Sequence, residues 1–215
     1  MKRILFPMLA AALLAACSDG DDNNADALPV APKVAVESLA AGSYTVSLGD
    51  AAAPTVGRYY AAADGSRLLL VGDADGRLQA LYRQAAGHGW VAVPAAKADV
   101  SVTLLRADAV ALPAPTVAAM AGRYVADVAG KPAVFTVAAD GTIAAAAGSA
   151  CKLGGKLSAG KLPGTLQLAL TAADCPNLPA SASGVLAADP DYAPARFRLV
   201  ADDGNLLVDL WAYAE

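Results

Sequence analysis

The chain has 215 residues, of which 56% are hydrophobic, and its 16 Lys and Arg stand against 20 Asp and Glu, for a net charge of −4. This length is enough for one large domain or two small ones with a hydrophobic core. The acidic balance, with no basic stripe along the chain, argues against nucleic acid as a partner.

The first sixteen residues have the three parts of a secretory signal peptide. Met1-Lys2-Arg3 is a short basic start, Ile4–Leu14 is an apolar run of eleven residues, and Ala15-Ala16 are the small residues that signal peptidases require. The apolar run is too short to span a bilayer, and no later run is long enough. We therefore predict a signal peptide over residues 1–16 and a soluble remainder.

Leu14-Ala15-Ala16-Cys17 resembles the lipobox of bacterial lipoproteins. The resemblance implies that Cys17 is acylated through its sulfur and becomes the first residue of the mature protein, anchored by several acyl chains because a single chain binds a membrane only marginally. In Gram-negative members, a residue other than Asp after the cysteine, here Ser18, implies release to the outer membrane. The alternative is an ordinary signal peptide followed by a coincidental cysteine, and the membrane face is left open.

Residues 17–37 mix Asp, Asn, Ala and Pro without apolar periodicity and are predicted to form a flexible tether. Without Lys2 and Arg3 the balance is 14 basic against 20 acidic residues, a net charge of −6. The tether itself is acidic, so it has no basic cluster for an anionic membrane surface. We expect the acyl chains on Cys17 to be the only attachment of the protein to the membrane.

The remainder predicts an all-β fold. From Tyr44 onward Gly, Asp and Pro separate runs of five to eight residues, which is typical of antiparallel strands. Residues 165–171 and 196–199 alternate between apolar and polar side chains, whereas Leu68–Val71 is apolar on both faces. Despite the high alanine content, no long stretch has a helical period. Tight hairpins are predicted at four Asp-Gly pairs, Asp64-Gly65, Asp75-Gly76, Asp140-Gly141 and Asp203-Gly204.

Two antiparallel β-meander modules are predicted, over residues 38–111 and 116–215, joined by the proline-containing linker 112–115. Ala41-Gly42-Ser43-Tyr44 and Ala121-Gly122-Arg123-Tyr124 open the two modules in the same way, each after a predicted helical turn. The similarity is consistent with duplication or with common turn chemistry. The modules are expected to form small barrels, two halves of one barrel, or a sandwich.

Cys151 and Cys175 are the two cysteines that remain after lipidation. In an oxidising envelope compartment they are expected to form a disulfide. The alternative, a metal or redox pair, lacks Cys-x-x-Cys spacing and a second histidine. No metal or other cofactor is predicted.

No catalytic residue can be assigned, and three short motifs illustrate why. His88, between Gly87 and Gly89, is either a general base or ligand contact or an exposed hairpin tip. Asp73-Ala74-Asp75-Gly76 resembles part of a calcium loop, but Tyr82 stands where the closing Glu is needed, so a hairpin turn is favoured. Asp189-Pro190-Asp191 and Asp202-Asp203 are interpreted as acidic turns, with no reason to choose a glycosidase pair.

Aromatic residues concentrate near the centre of the first module and the end of the second. Aromatic side chains combine large contact area with a polar group and are enriched in binding sites, but they also fill β cores. The candidate ligand or partner contacts, with His88, are Tyr59, Tyr60, Tyr82, Trp90, Tyr192, Trp211 and Tyr213.

The leading functional hypothesis is a non-enzymatic, lipid-anchored β domain of the bacterial cell envelope. It would bind an unknown protein or small molecule through a barrel mouth or a sheet face. The small β barrels predicted for this chain resemble those of Gram-negative surface lipoproteins, many of which capture host proteins or ligands. Two alternatives are an accessory lipoprotein that docks on an envelope protein complex and an envelope hydrolase that uses His88 or an acidic pair.

The lipobox assignment predicts that Cys17→Ser abolishes acylation, because a hydroxyl does not replace the thiolate as the acceptor. Labelled palmitate should be incorporated into the parent chain and not into Cys17→Ser. The control is Cys151→Ser/Cys175→Ser, which should be labelled like the parent. Equal labelling of Cys17→Ser and the parent would contradict the assignment.

Overall fold

The structure, a computed structural model, describes residues 31–215. The predicted signal peptide, Cys17 and the first part of the predicted tether lie outside the described residues. Within residues 31–215 the regular structure consists of β-strands and two 3₁₀ turns, which confirms the all-β expectation. In that range there is no helix with the length and apolar character needed to cross a membrane.

The first half of the described chain forms an open six-stranded antiparallel sheet with strand order β6-β5-β4-β3-β2-β8. Strands β2 to β6 form a meander, and β8 returns to pair with β2. The short strands β1 and β7 form a separate parallel pair. β1 lies within residues 17–37, the predicted tether, and its Val36 is buried, so the end of that segment is part of the folded domain. The strands are β1 (Val34–Val36), β2 (Gly42–Asp50), β3 (Ala53–Ala61), β4 (Arg67–Gly72), β5 (Leu78–Gln84), β6 (Trp90–Val93), β7 (Val100–Val102) and β8 (Leu104–Ala109).

The second half forms a closed barrel of eight antiparallel strands, in which β9 pairs with both β10 and β16. The two halves are therefore an open sheet and a complete barrel, not two barrels or two halves of one. The barrel strands are β9 (Gly122–Val128), β10 (Lys131–Val137), β11 (Thr142–Ala145), β12 (Lys152–Ala159), β13 (Thr165–Ala173), β14 (Ser181–Ala187), β15 (Phe197–Asp202) and β16 (Leu207–Ala214).

Apolar side chains fill the barrel interior. Phe135 and Phe197 are fully buried there, and the Tyr124 ring packs on both, with centroid separations of 5.9 and 4.6 Å. An eight-stranded barrel is just wide enough for its own side chains. Leu166, Leu168 and Leu170 of β13 all point into this core, as the alternating pattern predicts.

β4, in the middle of the six-stranded sheet, is buried on both faces. Leu68 and Leu70 of β4 pack against the barrel, whereas Leu69 and Val71 pack in a second cluster with Val36 of β1. The doubly apolar run Leu68–Val71 is therefore a strand covered on both sides, as predicted.

β15 is buried on both faces, although residues 196–199 alternate between apolar and polar side chains. All six of its residues, Phe197–Asp202, are buried. Phe197 and Leu199 face the barrel core, while Arg198 and Val200 face the six-stranded sheet, which covers the outer surface of the strand. The outer face of β15 is buried because it is covered by residues far away in sequence.

The four Asp-Gly pairs all lie at hairpin turns, with glycine φ angles between 77° and 97°. In the turn that resembles a calcium loop, Asp73 Oδ1 accepts hydrogen bonds from the backbone N–H groups of Asp75 and Arg77, each at 2.9 Å. The carboxylate thus stabilises the turn in which it lies, and the hairpin interpretation accounts for the motif.

The two module openings share a local structure. The Tyr44 hydroxyl donates to the Ala40 carbonyl at 3.1 Å, and the Tyr124 hydroxyl donates to the Met120 carbonyl at 3.0 Å, four residues back in each case. Each ring lies over the glycine two residues before it, where a Cβ would approach the ring closely. A 3₁₀ turn precedes only the second opening, so the predicted turn before the first was wrong.

Cys151 and Cys175 form the predicted disulfide. Cys151 is buried at the barrel core and precedes β12, while Cys175 follows β13, so the bond ties together the ends of two paired strands.

Removal of the disulfide as Cys151→Ser/Cys175→Ser should lower the free energy of unfolding by about 3.5 kcal/mol, because the bond restricts a loop of about 25 residues in the unfolded chain. Urea titration followed by tryptophan fluorescence measures the change. The parent chain under reductant should lose a similar amount. A loss below about 1 kcal/mol would show that the loop adds little to stability.

Candidate functional site

The six-stranded sheet packs on the outer surface of the barrel through apolar side chains. They come from the barrel-facing side of β3 to β6, and from β14, β15 and the segment around the second 3₁₀ turn, Pro190–Tyr192. The buried members are Tyr60, Leu68, Leu70, Leu81, Val93, Val185, Ala187, Tyr192, Ala195 and Val200. Burial of this apolar area is the main attraction between the two halves.

An ion pair between buried Arg198 and partly buried Asp209 lies within this contact. Arg198 and Asp209 form two parallel hydrogen bonds, at 2.5 and 2.7 Å, between β15 and β16. Arg198 also donates to the Gly76 carbonyl of the sheet at 3.0 Å, and Asp209 accepts from the Leu78 N–H at 2.8 Å. The Trp211 ring lies 4.7 Å from the guanidinium carbon. The two charged side chains of the barrel therefore form hydrogen bonds with backbone groups of the sheet.

Two further arginines of the sheet bind carboxylates of the barrel. Arg58 Nη2 lies 2.7 Å from Asp189 and 2.6 Å from Asp191. Arg83 makes two hydrogen bonds to Asp202, at 3.1 and 3.2 Å. Asp189 and Asp202 are buried, so the interpretation of these segments as simple acidic turns was incomplete. Their carboxylates belong to the sheet–barrel contact.

A cleft of about 780 Å³ opens beside this contact, between the β4–β5 region of the sheet and the outward faces of β13, β14 and β15. Its apolar lining includes Leu68 and Leu81 from the sheet and Val185 and Val200 from the barrel. All four are buried and fixed by the contact itself. Concave sites with apolar lining and a few polar groups are the usual form of ligand sites.

The outer faces of β13 and β14 line the cleft with polar, uncharged side chains, which include Gln167, Thr171, Ser181 and Ser183. These groups point away from the barrel core and are free to donate and accept hydrogen bonds. The cleft can therefore hold a molecule with an apolar side and a hydroxyl- or amide-bearing side.

Two pairs of opposite charge lie at the rim, whereas Arg67 donates to the Gly65 carbonyl and to Gln84. Arg83 binds Asp202, and Lys161 Nζ lies 2.9 Å from Asp64 Oδ2. The hydrogen bond from Lys161, assisted by the Ser66 N–H, lowers the pKa of Asp64 to about 2. At neutral pH Asp64 is therefore ionised and pairs with Lys161.

None of the eight candidate contacts named from the sequence lines this cleft. Tyr59 and Tyr60 are fully buried on opposite faces of the sheet, and the Tyr60 hydroxyl lies 3.5 Å from that of buried Tyr192. Burial and the neighbouring Tyr192 raise the pKa of Tyr60 well above its ordinary value, so it stays neutral. These three tyrosines are therefore residues of the packed interior.

The remaining aromatic candidates are partly exposed but dispersed. Trp90 and Tyr82 lie in the cluster on the sheet face away from the barrel, with the Trp90 ring 6.1 Å from that of Tyr59. Trp211 is half-buried beneath Arg198, and Tyr213 is exposed near the end of β16. The structure does not bring these side chains together into one site.

His88 is exposed at the tip of the β5–β6 hairpin. Its backbone N–H donates to the Ala85 carbonyl, and its carbonyl accepts from Gln84. The imidazole has no hydrogen bond to any residue in the range 31–215, and that range contains no group of three metal-ligating side chains. The location agrees with the hairpin-tip interpretation.

Sequence reasoning missed the cleft residues Arg83, Lys161 and Gln167. Gln167 lies on the polar side of an alternating strand, which is typical of solvent-facing residues, and Arg83 is separated from Asp202 by 119 positions. The only local signal was that the outer face of β13 carries no charge between Thr165 and Ala173.

No protein family, no curated protein and no solved structure matches the chain. A role for the cleft is therefore argued from its geometry and chemistry.

The buried pair predicts that Asp209→Ala lowers the free energy of unfolding by about 3 to 5 kcal/mol, because Arg198 is left charged and unpaired away from water. The matched control is Lys152→Ala, which removes one partner of the exposed Lys152–Asp174 pair and should cost less than about 1 kcal/mol. Chemical denaturation measures both. Equal losses would contradict a role for Asp209 in joining sheet and barrel.

Proposed function

We propose that the protein is a lipid-anchored lipoprotein of the bacterial cell envelope whose folded domain is a non-enzymatic binding module. Its ligand site is the cleft between the six-stranded sheet and the barrel. The lipobox-like segment around Cys17 supports the location in the cell envelope, and the disulfide between Cys151 and Cys175 suits an oxidising compartment.

The observation that carries the binding role is the open cleft with an apolar lining and a polar barrel wall. An occupant gains hydrophobic contact with the exposed or partly exposed apolar side chains of the lining, Ala85, Leu162 and Ala169, while its polar groups meet the amide of Gln167 and neighbouring hydroxyls. Since the cleft strands β4, β5, β13, β14 and β15 are each paired with a neighbouring strand along both edges, the site is largely formed before the ligand arrives, which lowers the entropic cost of binding.

Binding is favoured over catalysis by the state of the charged groups in the cleft. Arg83 and Asp202 neutralise each other, and Lys161 is held by Asp64. Asp203 accepts hydrogen bonds from the N–H groups of Asn205 and Leu206 at the next turn, and these lower its pKa. An acid–base catalyst instead needs a group with a pKa near the working pH.

Blocking the cleft should abolish ligand retention. Ser183 is exposed on β14 at the cleft, so Ser183→Trp places a large ring in the cleft while leaving the barrel core unchanged. Ala144→Trp, on an exposed position of β11 outside the cleft, is the matched control. The measurement is native mass spectrometry of the chain from Ala25 onward, secreted into an oxidising periplasm.

We expect a mass above that of the chain in the parent and in Ala144→Trp, lost on denaturation, and a bare mass in Ser183→Trp. A photo-crosslinking amino acid at position 183, but not at position 144, should capture the occupant in cells. The absence of both an adduct and a position-specific crosslink would overturn the cleft as the binding site.

A further inference from the structure

β8 is a free edge of the six-stranded sheet. It pairs with β2 on one side, and no described strand pairs with its other side. Every residue from Leu105 to Ala109 is exposed. An edge strand presents unpaired N–H and C=O groups that can pair with another chain. The opposite edge, β6, has only four residues and is followed by Pro94, so it offers far fewer such groups.

The register shows which backbone groups of β8 are free. The Val110 N–H donates to the Ser43 carbonyl at 2.8 Å, and Thr45 and Val46 lie opposite Asp108 and Ala107. In an antiparallel ladder, residues alternate between bonding to the neighbour and facing away from it. Ala107 and Ala109 therefore direct their N–H and C=O groups away from β2, and their methyl side chains leave these groups accessible.

The side chains on this edge have a self-complementary order of charge. Arg106 and Asp108 lie two residues apart on the same sheet face, both exposed, with Arg106 Nε 2.6 Å from Asp108 Oδ2. If a second β8 pairs antiparallel about Ala107, Arg106 of each copy lies opposite Asp108 of the other. Opposite charges at directly facing positions stabilise such a pair, and like charges destabilise it.

We propose that two copies of this protein associate through β8, antiparallel and in the register centred on Ala107. The pairing joins two six-stranded sheets into one continuous sheet across a two-fold axis. It uses backbone groups that no described residue satisfies, and no residue of β8 lines the cleft.

The bulge and the charge order of β8 also oppose pairing of this edge with unrelated strands. The register of β8 on β2 shifts between Ser47 and Leu48, which leaves Leu105 as an extra, exposed residue. A bulge and charged side chains both oppose indiscriminate edge pairing. A strand without the Arg106–Asp108 order would bring like or unpaired charges against this edge, so the copy itself is the matched partner.

The association is expected to be weak in solution, because a pair of short strands gives little stability on its own. Attachment to one membrane raises the effective concentration of the copies relative to each other. This step rests on the lipid anchor of the proposed function. The dimer is therefore tested first on the full chain in its membrane.

The first experiment is disulfide trapping with Ala107→Cys. In the proposed register the two copies of residue 107 form a hydrogen-bonded pair with Cα atoms about 5.5 Å apart, a distance that a disulfide spans. Ala144→Cys, exposed on β11, is the control. After mild oxidation, non-reducing gels should show at least tenfold more covalent dimer for Ala107→Cys. Equal amounts for the two variants, or none for Ala107→Cys, would overturn the proposal.

The second experiment reverses the charges in the Ala107→Cys background. Asp108→Arg sets Arg106 against a second arginine across the axis and should reduce cross-linking at least fivefold. Arg106→Asp/Asp108→Arg restores the self-complementary order and should restore the dimer. Failure of the double exchange to restore cross-linking would refute the register.

Membrane fractionation of the same samples reports on the anchor separately. A chain that cross-links through position 107 but is recovered in the soluble fraction would support the dimer and contradict the lipid anchor. A chain that stays in the membrane and does not cross-link would support the anchor and overturn the dimer.

Discussion

The burial of one outer face of the barrel under the six-stranded sheet is the constraint on which the other features depend. It removes Arg198 and Asp209 from most of their water, and a buried charge is tolerated only with a partner and full hydrogen bonding. The pair meets this requirement and also satisfies the carbonyl of Gly76 and the N–H of Leu78. Apolar contact thus brings the two halves together, and the ion pair fixes their register.

The cleft lies outside the barrel, whose interior is filled. Eight strands enclose a core filled by rings such as Phe135 and Phe197. The cleft instead lies where the six-stranded sheet meets the outer faces of β13, β14 and β15. Leu81 and Val200 belong both to the sheet–barrel contact and to the cleft lining. Residues that join the two halves therefore also shape the cleft.

Sequence was informative where the determinants are local. Asp-Gly pairs specify hairpins through the backbone freedom of glycine, and Leu166, Leu168 and Leu170 mark the inner face of β13 by period alone. Determinants that lie far apart in the chain were not visible. Arg198 and Arg83 have polar side chains in strand-like segments, and only the fold brings Gly76 to one and Asp202 to the other. The closure of β9 onto β16 and the return of β8 to β2 are equally non-local.

Closure of the barrel has a kinetic meaning. Each of its strands is paired on both sides, so no strand can leave without breaking two ladders of hydrogen bonds, and opening requires a cooperative event. β8 is held by one ladder only. Amide hydrogens of the barrel should accordingly be the last to exchange with solvent, and local opening should begin at the sheet edge. The molecule thus combines a slowly exchanging half, which includes one wall of the cleft, with a margin that opens readily.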